Sequence, residues 1–137
     1  FLCSSETIGL ITYGKQKTRE RFLPRLKHIL SEKRVEFHTV EVSECDLDEF
    51  CEKVTIGLNL SNAQNMFLIL SGLEPLLPSS GTVLNGFREQ LTHFTGVIIL
   101  IRTDRLRDFW IAAPDLMNLA GSFLIRAEQM PEPIRED

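Results

Sequence analysis

The sequence predicts a three-layer α/β domain, in which helices cover both faces of a mostly parallel five-stranded sheet. Short apolar runs alternate along the chain with segments whose apolar residues recur at helical spacing. Several runs are apolar at almost every position, which is typical of strands that a parallel sheet buries on both faces. The length of 137 residues suits one domain with one core, which we expect to span residues 1–129. Residues 130–137 are mostly polar and contain two prolines, so we expect a tail or linker there.

Five apolar runs predict the strands. The second run alternates apolar and polar residues, which indicates a strand at the edge of the sheet. The third and fourth runs are nearly all apolar, as in the middle of a parallel sheet. In chain order the predicted strands cover residues 7–13, 35–42, 66–70, 97–101 and 123–125.

Four helices are predicted between these strands. Pro24 lies within the first apolar stripe, so that helix either starts near Arg21 or kinks. Asp46 can cap the second helix, because Glu49 follows at the spacing of a capping box. The third stripe lies in residues 83–94, and the fourth helix covers residues 104–113, where the next residue is a proline that ends it or begins another. Residues 75–81, rich in Pro, Ser and Gly, are predicted to form the longest loop.

Charge indicates which partners the domain can bind, and cysteine content indicates its compartment. The net charge of −4 argues against nucleic acid as a partner, although basic residues crowd residues 15–34 and acidic residues follow in 41–52. These runs are either two solvated helix faces or a basic patch for an anion or an acidic partner. The three cysteines show no metal-ligand spacing, which favours a reducing, cytoplasmic compartment. No run approaches the roughly 18 apolar residues of a membrane span, so we expect no membrane partner.

The first strand and the turn after it almost match a phosphate-binding loop. Gly9 to Lys15 satisfy the pattern G-x-x-x-x-G-K, but Gln16 lacks the hydroxyl that magnesium requires. The residues between the two glycines are also needed for the first buried strand, which leaves no room for a loop that wraps phosphates. We therefore expect no working phosphate loop, although Lys15 and Lys17 near a helix start could still hold an anion.

The third strand has the form of one that delivers an acid to magnesium. Ser71 stands where the acid is expected, and Glu74 follows in a turn that it is expected to shape. After the fourth strand, Arg105 could contact a phosphate, although Thr103 or Asp104 acting as a helix cap is the simpler interpretation. The candidate anion or nucleotide remnant is therefore Lys15, Lys17 and Arg105, with no catalytic residue, no metal ligand and no cofactor predicted.

The second half of the chain resembles STAND-type P-loop NTPase domains, and in particular the degenerate branch called inactive STAND domains. The likeness covers roughly residues 65–126. It rests on Gly72-Leu73-Glu74 after a buried strand, on Leu84-Asn85 followed by Arg88-Glu89, and on Ala113-Pro114-Asp115 before the last strand. The resemblance implies a P-loop NTPase-like sheet without dependable ATPase activity. We also expect Arg88 or Glu89 to pair with Asp115.

Members of that family usually belong to bacterial multidomain proteins of signalling or conflict. The resemblance therefore implies a non-catalytic interaction module, with protein partners or flanking domains of the same chain. The chain begins at Phe1 rather than Met, which fits a segment of a longer protein. One alternative is a nucleotide-binding switch that uses Lys15 and Arg105. Another is a small receiver-like or phosphate-sensing α/β domain, which Tyr13 and Gly14 oppose because they stand where carboxylates would be needed.

Overall fold

The computed structural model describes residues 8–42, 46–60, 65–120 and 124–126 of the chain. The predicted tail at residues 130–137 lies outside these ranges. Strands and helices alternate as the sequence predicts. They are β1 (Ile8–Tyr13), α1 (Gln16–Glu32), β2 (Glu36–Glu41), α2 (Leu47–Leu58), β3 (Met66–Ser71), α3 (Ser79–Gly86), α4 (Arg88–Leu91), β4 (Gly96–Arg102), α5 (Leu106–Ala112), α6 (Pro114–Ala120) and β5 (Leu124–Arg126).

The strands form one parallel sheet in the order β2-β3-β4-β1-β5. The predicted α/β class, the parallel sheet and the place of β2 at an edge are confirmed. The prediction of five strands is wrong for full strands: the sheet has four, each of six or seven residues. The last predicted strand is the three-residue segment β5, which pairs with the middle of β1.

The helices divide unequally between the two faces of the sheet. The apolar stripe of α1 packs against one face, where it contributes Phe22, Leu23, Leu26 and Leu30. Buried side chains of α2 to α6 pack against the other face, among them Phe50, Leu84, Leu91, Phe109 and Leu116. Right-handed crossovers account for this division, because the chain moves one way across the sheet from β1 to β2 and returns from β2 towards β5.

Of the two alternatives that Pro24 left for the first helix, a start near Arg21 is wrong. The helix begins at Gln16, with only Gly14 and Lys15 between it and the end of β1, and it continues through Pro24. Pro24 is exposed, so water can satisfy the carbonyl that the missing proline N–H leaves without a partner. At the start of α2 the predicted cap is confirmed, since the side chain of Asp46 accepts a hydrogen bond from the Glu49 N–H at 2.8 Å.

The predicted long loop after β3 is wrong. Residues Glu74–Leu76 form a 3-10 turn, and Ser79 already begins α3. The buried hydroxyl of Ser80 donates to the Leu73 carbonyl at 3.1 Å, which ties the first turn of α3 to the turn before it. The third apolar stripe is also divided, because α3 ends at Gly86 and α4 begins at Arg88. Propensity alone missed these short helices because tertiary packing forms them.

Candidate functional site: a cleft at the carboxyl ends of the strands

The topology of the sheet places a crevice between β1 and β4. These neighbours pair in register from Ile8↔Val97 to Tyr13↔Arg102. The chain leaves β1 into α1 on one face of the sheet, and it leaves β4 towards α5 on the other face. Open α/β sheets bind ligands at the carboxyl ends of strands where the connections diverge in this way. The ends of β1, β3 and β4 are therefore the first place to look for a site.

A buried acid lies at this point, and we call Tyr13, Glu74 and Arg102 the Glu74 cluster. Only 5% of Glu74 is exposed. The Tyr13 hydroxyl donates a hydrogen bond to Oε2 of Glu74, and the Arg102 backbone N–H donates to the same oxygen at 2.7 Å. Tyr13 and Arg102 are the last residues of β1 and β4, so the acid fastens the turn after β3 to both neighbouring strand ends.

Burial raises the pKa of the Tyr13 hydroxyl well above its usual value. The hydrogen bond to Glu74 and the negative charge of that carboxylate raise this pKa further, while Arg19 and Arg102 lower it by a smaller amount. Tyr13 therefore stays protonated and remains a hydrogen-bond donor throughout the physiological range of pH.

A second group, which we call the Arg19 cluster, lies at the end of β3 and consists of Arg19, Glu41 and Ser71. Nη1 of Arg19 donates to Oε2 of Glu41 at 2.9 Å and also to the Ser71 hydroxyl. Only 12% of the Arg19 side chain is exposed, and Ser71 is fully buried. The residue at the expected magnesium position therefore accepts a hydrogen bond from a cation of the protein itself.

The two clusters border a cleft of about 230 Å³. Two arginines of the cleft form ion pairs with aspartates that do not line it. Nε of Arg102 donates to Asp104 at 2.6 Å, and Nε of Arg105 donates to Asp108 at 2.8 Å. The hydrogen bond to Asp104 raises the pKa of Arg102, which keeps that guanidinium charged. The residues that line the cleft are Gln16, Arg19, Gly72, Glu74, Pro75, Arg102 and Arg105.

The structure brings only one of the three predicted anion-binding residues to this cleft. Arg105 lines it, whereas Lys15 and Lys17 are exposed and do not. The predicted helix cap by Thr103 or Asp104 is wrong, because neither makes a capping hydrogen bond and Asp104 binds the Arg102 side chain instead.

Sequence reasoning missed Arg19 and the role of Glu74. The signal for Glu74 was its place in the turn after β3, three residues from the end of a buried strand. The signal for Arg19 was its place one turn into the helix that follows β1, which directs a long side chain back towards the strand ends. Both signals needed the strand order, which the sequence does not give.

The predicted contact between α4 and Asp115 is also wrong. Asp115 accepts a hydrogen bond from the Asn85 side chain at 3.4 Å, and the amide oxygen of Asn85 accepts from the Leu116 N–H at 2.9 Å. Arg88 instead donates to the Asn85 carbonyl at 2.8 Å. Asn85 thus joins α3 to the start of α6, which gives the Asn of the Leu-Asn pattern a structural role.

Within the described ranges, no group of three His, Cys, Asp or Glu side chains is placed to hold a metal ion. Among the helices of those same ranges, none has the length and apolar character needed to cross a membrane.

Comparisons with protein-family models, curated proteins and solved structures gave no match.

Proposed function

We propose that this domain is a non-catalytic protein-interaction or signalling module built on a degenerate P-loop NTPase-like fold. It would act within a larger multidomain protein, such as one of bacterial defence, through protein partners or flanking domains. The odd number of cysteines is the reason for placing it in a reducing compartment such as the cytoplasm.

The observation that carries this proposal is the Arg19 cluster. In an active NTPase the end of the third strand supplies a carboxylate for magnesium. Here Ser71 is buried against the guanidinium of Arg19, whose charge is balanced by Glu41. A divalent cation at this position would have to displace the guanidinium of Arg19 from Ser71 and Glu41, which opposes its binding.

The turn after β1 supports the same proposal. Only Gly14 and Lys15 separate Tyr13 from the first residue of α1. Two residues cannot supply the ring of backbone N–H groups that surrounds the phosphates in a phosphate-binding loop. The domain is therefore proposed to have lost both the phosphate cradle and the metal position.

Calorimetric titration with ATP and Mg²⁺ tests the proposal. We expect no heat of binding at micromolar nucleotide concentrations, with or without magnesium. Micromolar affinity that depends on magnesium would overturn the proposal. Hydrolysis should stay at the rate of the buffer, and turnover that the purified protein retains through several columns would have the same consequence.

The alternative is a nucleotide-binding switch with weak or no hydrolysis, and the position of Arg105 in the cleft is the observation that favours it. In that case Lys15→Ala should abolish nucleotide binding. Lys15 caps α1 without a side-chain hydrogen bond and is exposed, so the substitution should leave the fold intact. Nucleotide affinity that is unchanged in Lys15→Ala would remove this alternative.

A further inference from the structure

Among the described residues of the cleft, Glu74 has an oxygen that accepts no hydrogen bond, and two arginines beside it have terminal nitrogens that donate none. Both hydrogen bonds that the described residues donate to Glu74 end on Oε2, which leaves Oε1 without a donor from that part of the chain. Asp104 and Asp108 hold their arginines through Nε, so the terminal nitrogens of Arg102 and Arg105 stay available to a ligand. Glu74 lines the cleft, so a ligand there can donate to Oε1.

A carboxylate beside two guanidinium groups favours one kind of anion. The guanidinium groups can bind the bare oxygens of an anion, with the geometry that favours phosphate and carboxylate groups. The carboxylate of Glu74 would repel a fully deprotonated anion, but it can accept a hydrogen bond from an anion that still carries a proton. Hydrogenphosphate has such a proton at neutral pH, whereas sulfate has none.

We propose that the cleft binds a phosphate group that retains a proton, with its P–OH donating to Oε1 of Glu74 and its bare oxygens accepting from Arg102 and Arg105. Tyr13 and the Arg102 N–H both donate to Oε2 of Glu74, so they hold the carboxylate in one orientation before a ligand binds. Gly72 has a positive φ of 78°, which lets the backbone turn beside the cleft without a side chain.

The volume of the cleft fits a small group rather than a nucleotide. Sites for drug-sized ligands occupy about 300–1,000 Å³, and this cleft has about 230 Å³. The phosphate oxygens of ATP bound to magnesium carry no proton at neutral pH, so they lack the feature that Glu74 selects. Phosphate binding in the cleft and the proposed absence of ATP binding are therefore separate properties, and each can fail without the other.

A titration of ¹⁵N-labelled protein with inorganic phosphate, followed by NMR at pH 7, tests the site. We expect saturable shifts of the Gly72 and Arg102 amides, and sulfate at matched ionic strength should need at least about tenfold more anion, or roughly 1.4 kcal/mol. Equal affinity for the two anions, or no saturable shift with phosphate, would overturn the proposal. This comparison uses the unaltered protein, so it does not depend on any variant folding.

Matched variants then locate the site. Arg105→Ala removes a partly exposed arginine of the cleft and should weaken phosphate binding about tenfold. Arg107→Ala removes the same charge from an exposed position of α5 outside the cleft and should leave the affinity unchanged. Equal losses in both variants would indicate a general charge effect and contradict the site.

A separate variant tests whether Glu74 accepts the hydrogen bond from the protonated phosphate. Glu74→Gln should reduce the preference for phosphate over sulfate, with folding checked by thermal unfolding. A preference that Glu74→Gln leaves intact in a folded protein would contradict the role of Oε1. O-phosphoserine tests the same requirement: the second pKa of a phosphomonoester is about 6, so at pH 7 most of it has no P–OH and should bind more weakly than inorganic phosphate. Tighter binding of O-phosphoserine at pH 7 would contradict the role of the proton.

Discussion

Among single residues, Tyr13 is the one whose environment is easiest to measure, because it is the only tyrosine of the chain. Its ionisation can therefore be followed by ultraviolet absorbance without interference from another tyrosine. The raised pKa of the hydroxyl predicts that tyrosinate absorbance in the folded protein appears well above pH 10, the ordinary value. A midpoint near pH 10 in protein that is still folded would contradict the burial of the hydroxyl together with its hydrogen bond to Glu74.

The same pKa shift predicts how stability depends on pH. The pKa of Tyr13 is higher in the folded chain than its ordinary value of 10.0, so its contribution is complete below pH 10. As the pH rises above 10, the unfolded chain loses the proton first, and the free energy of unfolding falls by at most about 1.4 kcal/mol per pH unit. Tyr13→Phe should lack this part of the decline while keeping that caused by other groups.

Single residues also show where sequence reasoning succeeds. The Asp46 cap was predictable because a side chain and a backbone N–H three residues on are fixed by local geometry alone. The contact of Arg19 with Ser71 was not predictable, because the two are separated by 52 positions and meet only through the sheet order.

Two adjacent aromatic residues show that residue type alone does not predict burial. Both suit a core by type, but Phe109 is buried while 46% of Trp110 is exposed.

At the scale of elements, Gly81 sets how closely α3 and α5 approach. A Cβ atom built there would lie 2.8 Å from the Ala112 Cβ, closer than real Cβ contacts. We expect Gly81→Ala to lower the free energy of unfolding by about 1–3 kcal/mol, because the two helices must separate. Urea unfolding measures this difference.

Two matched variants make this prediction specific to the helix contact. Gly86→Ala, also in α3, places its Cβ in open space and should be neutral or stabilising by up to about 1 kcal/mol. Adding Ala112→Gly to Gly81→Ala removes the contacted methyl and should recover part of the loss. Equal destabilisation by Gly81→Ala and Gly86→Ala would show that the close approach does not matter.

The strands were easier to predict than the short helices. Each long strand lies within about a residue of its predicted place, because a short, continuous apolar run between polar turns is typical of a strand buried on both faces. By contrast, α3 and α4 hold eight and four residues, and such helices depend on packing rather than on propensity. For the same reason, a stretch rich in Pro, Ser and Gly that predicted a loop contains a 3-10 turn and the start of α3.

At the scale of the whole molecule, the topology decides what local patterns cannot. Most of the basic run lies in α1, whereas Asp48, Glu49 and Glu52 of the acidic run lie in α2, on the opposite face of the sheet. The crevice between β1 and β4 likewise follows from the connections and not from any motif. The sequence directed attention to residues at the ends of β1, β3 and β4, but the contacts of Arg19 and Glu74 there became visible only in three dimensions.

The central proposal is that the protein's own side chains occupy the strand ends where an NTPase would hold nucleotide and metal. The most direct measurement is an NMR titration of the labelled domain with ATP and Mg²⁺, observed at the amides of Gly14, Lys15 and Ser71. We predict that these amides do not shift up to the millimolar range. Saturable, magnesium-dependent shifts at the β1–α1 turn and at Ser71 would contradict the claim.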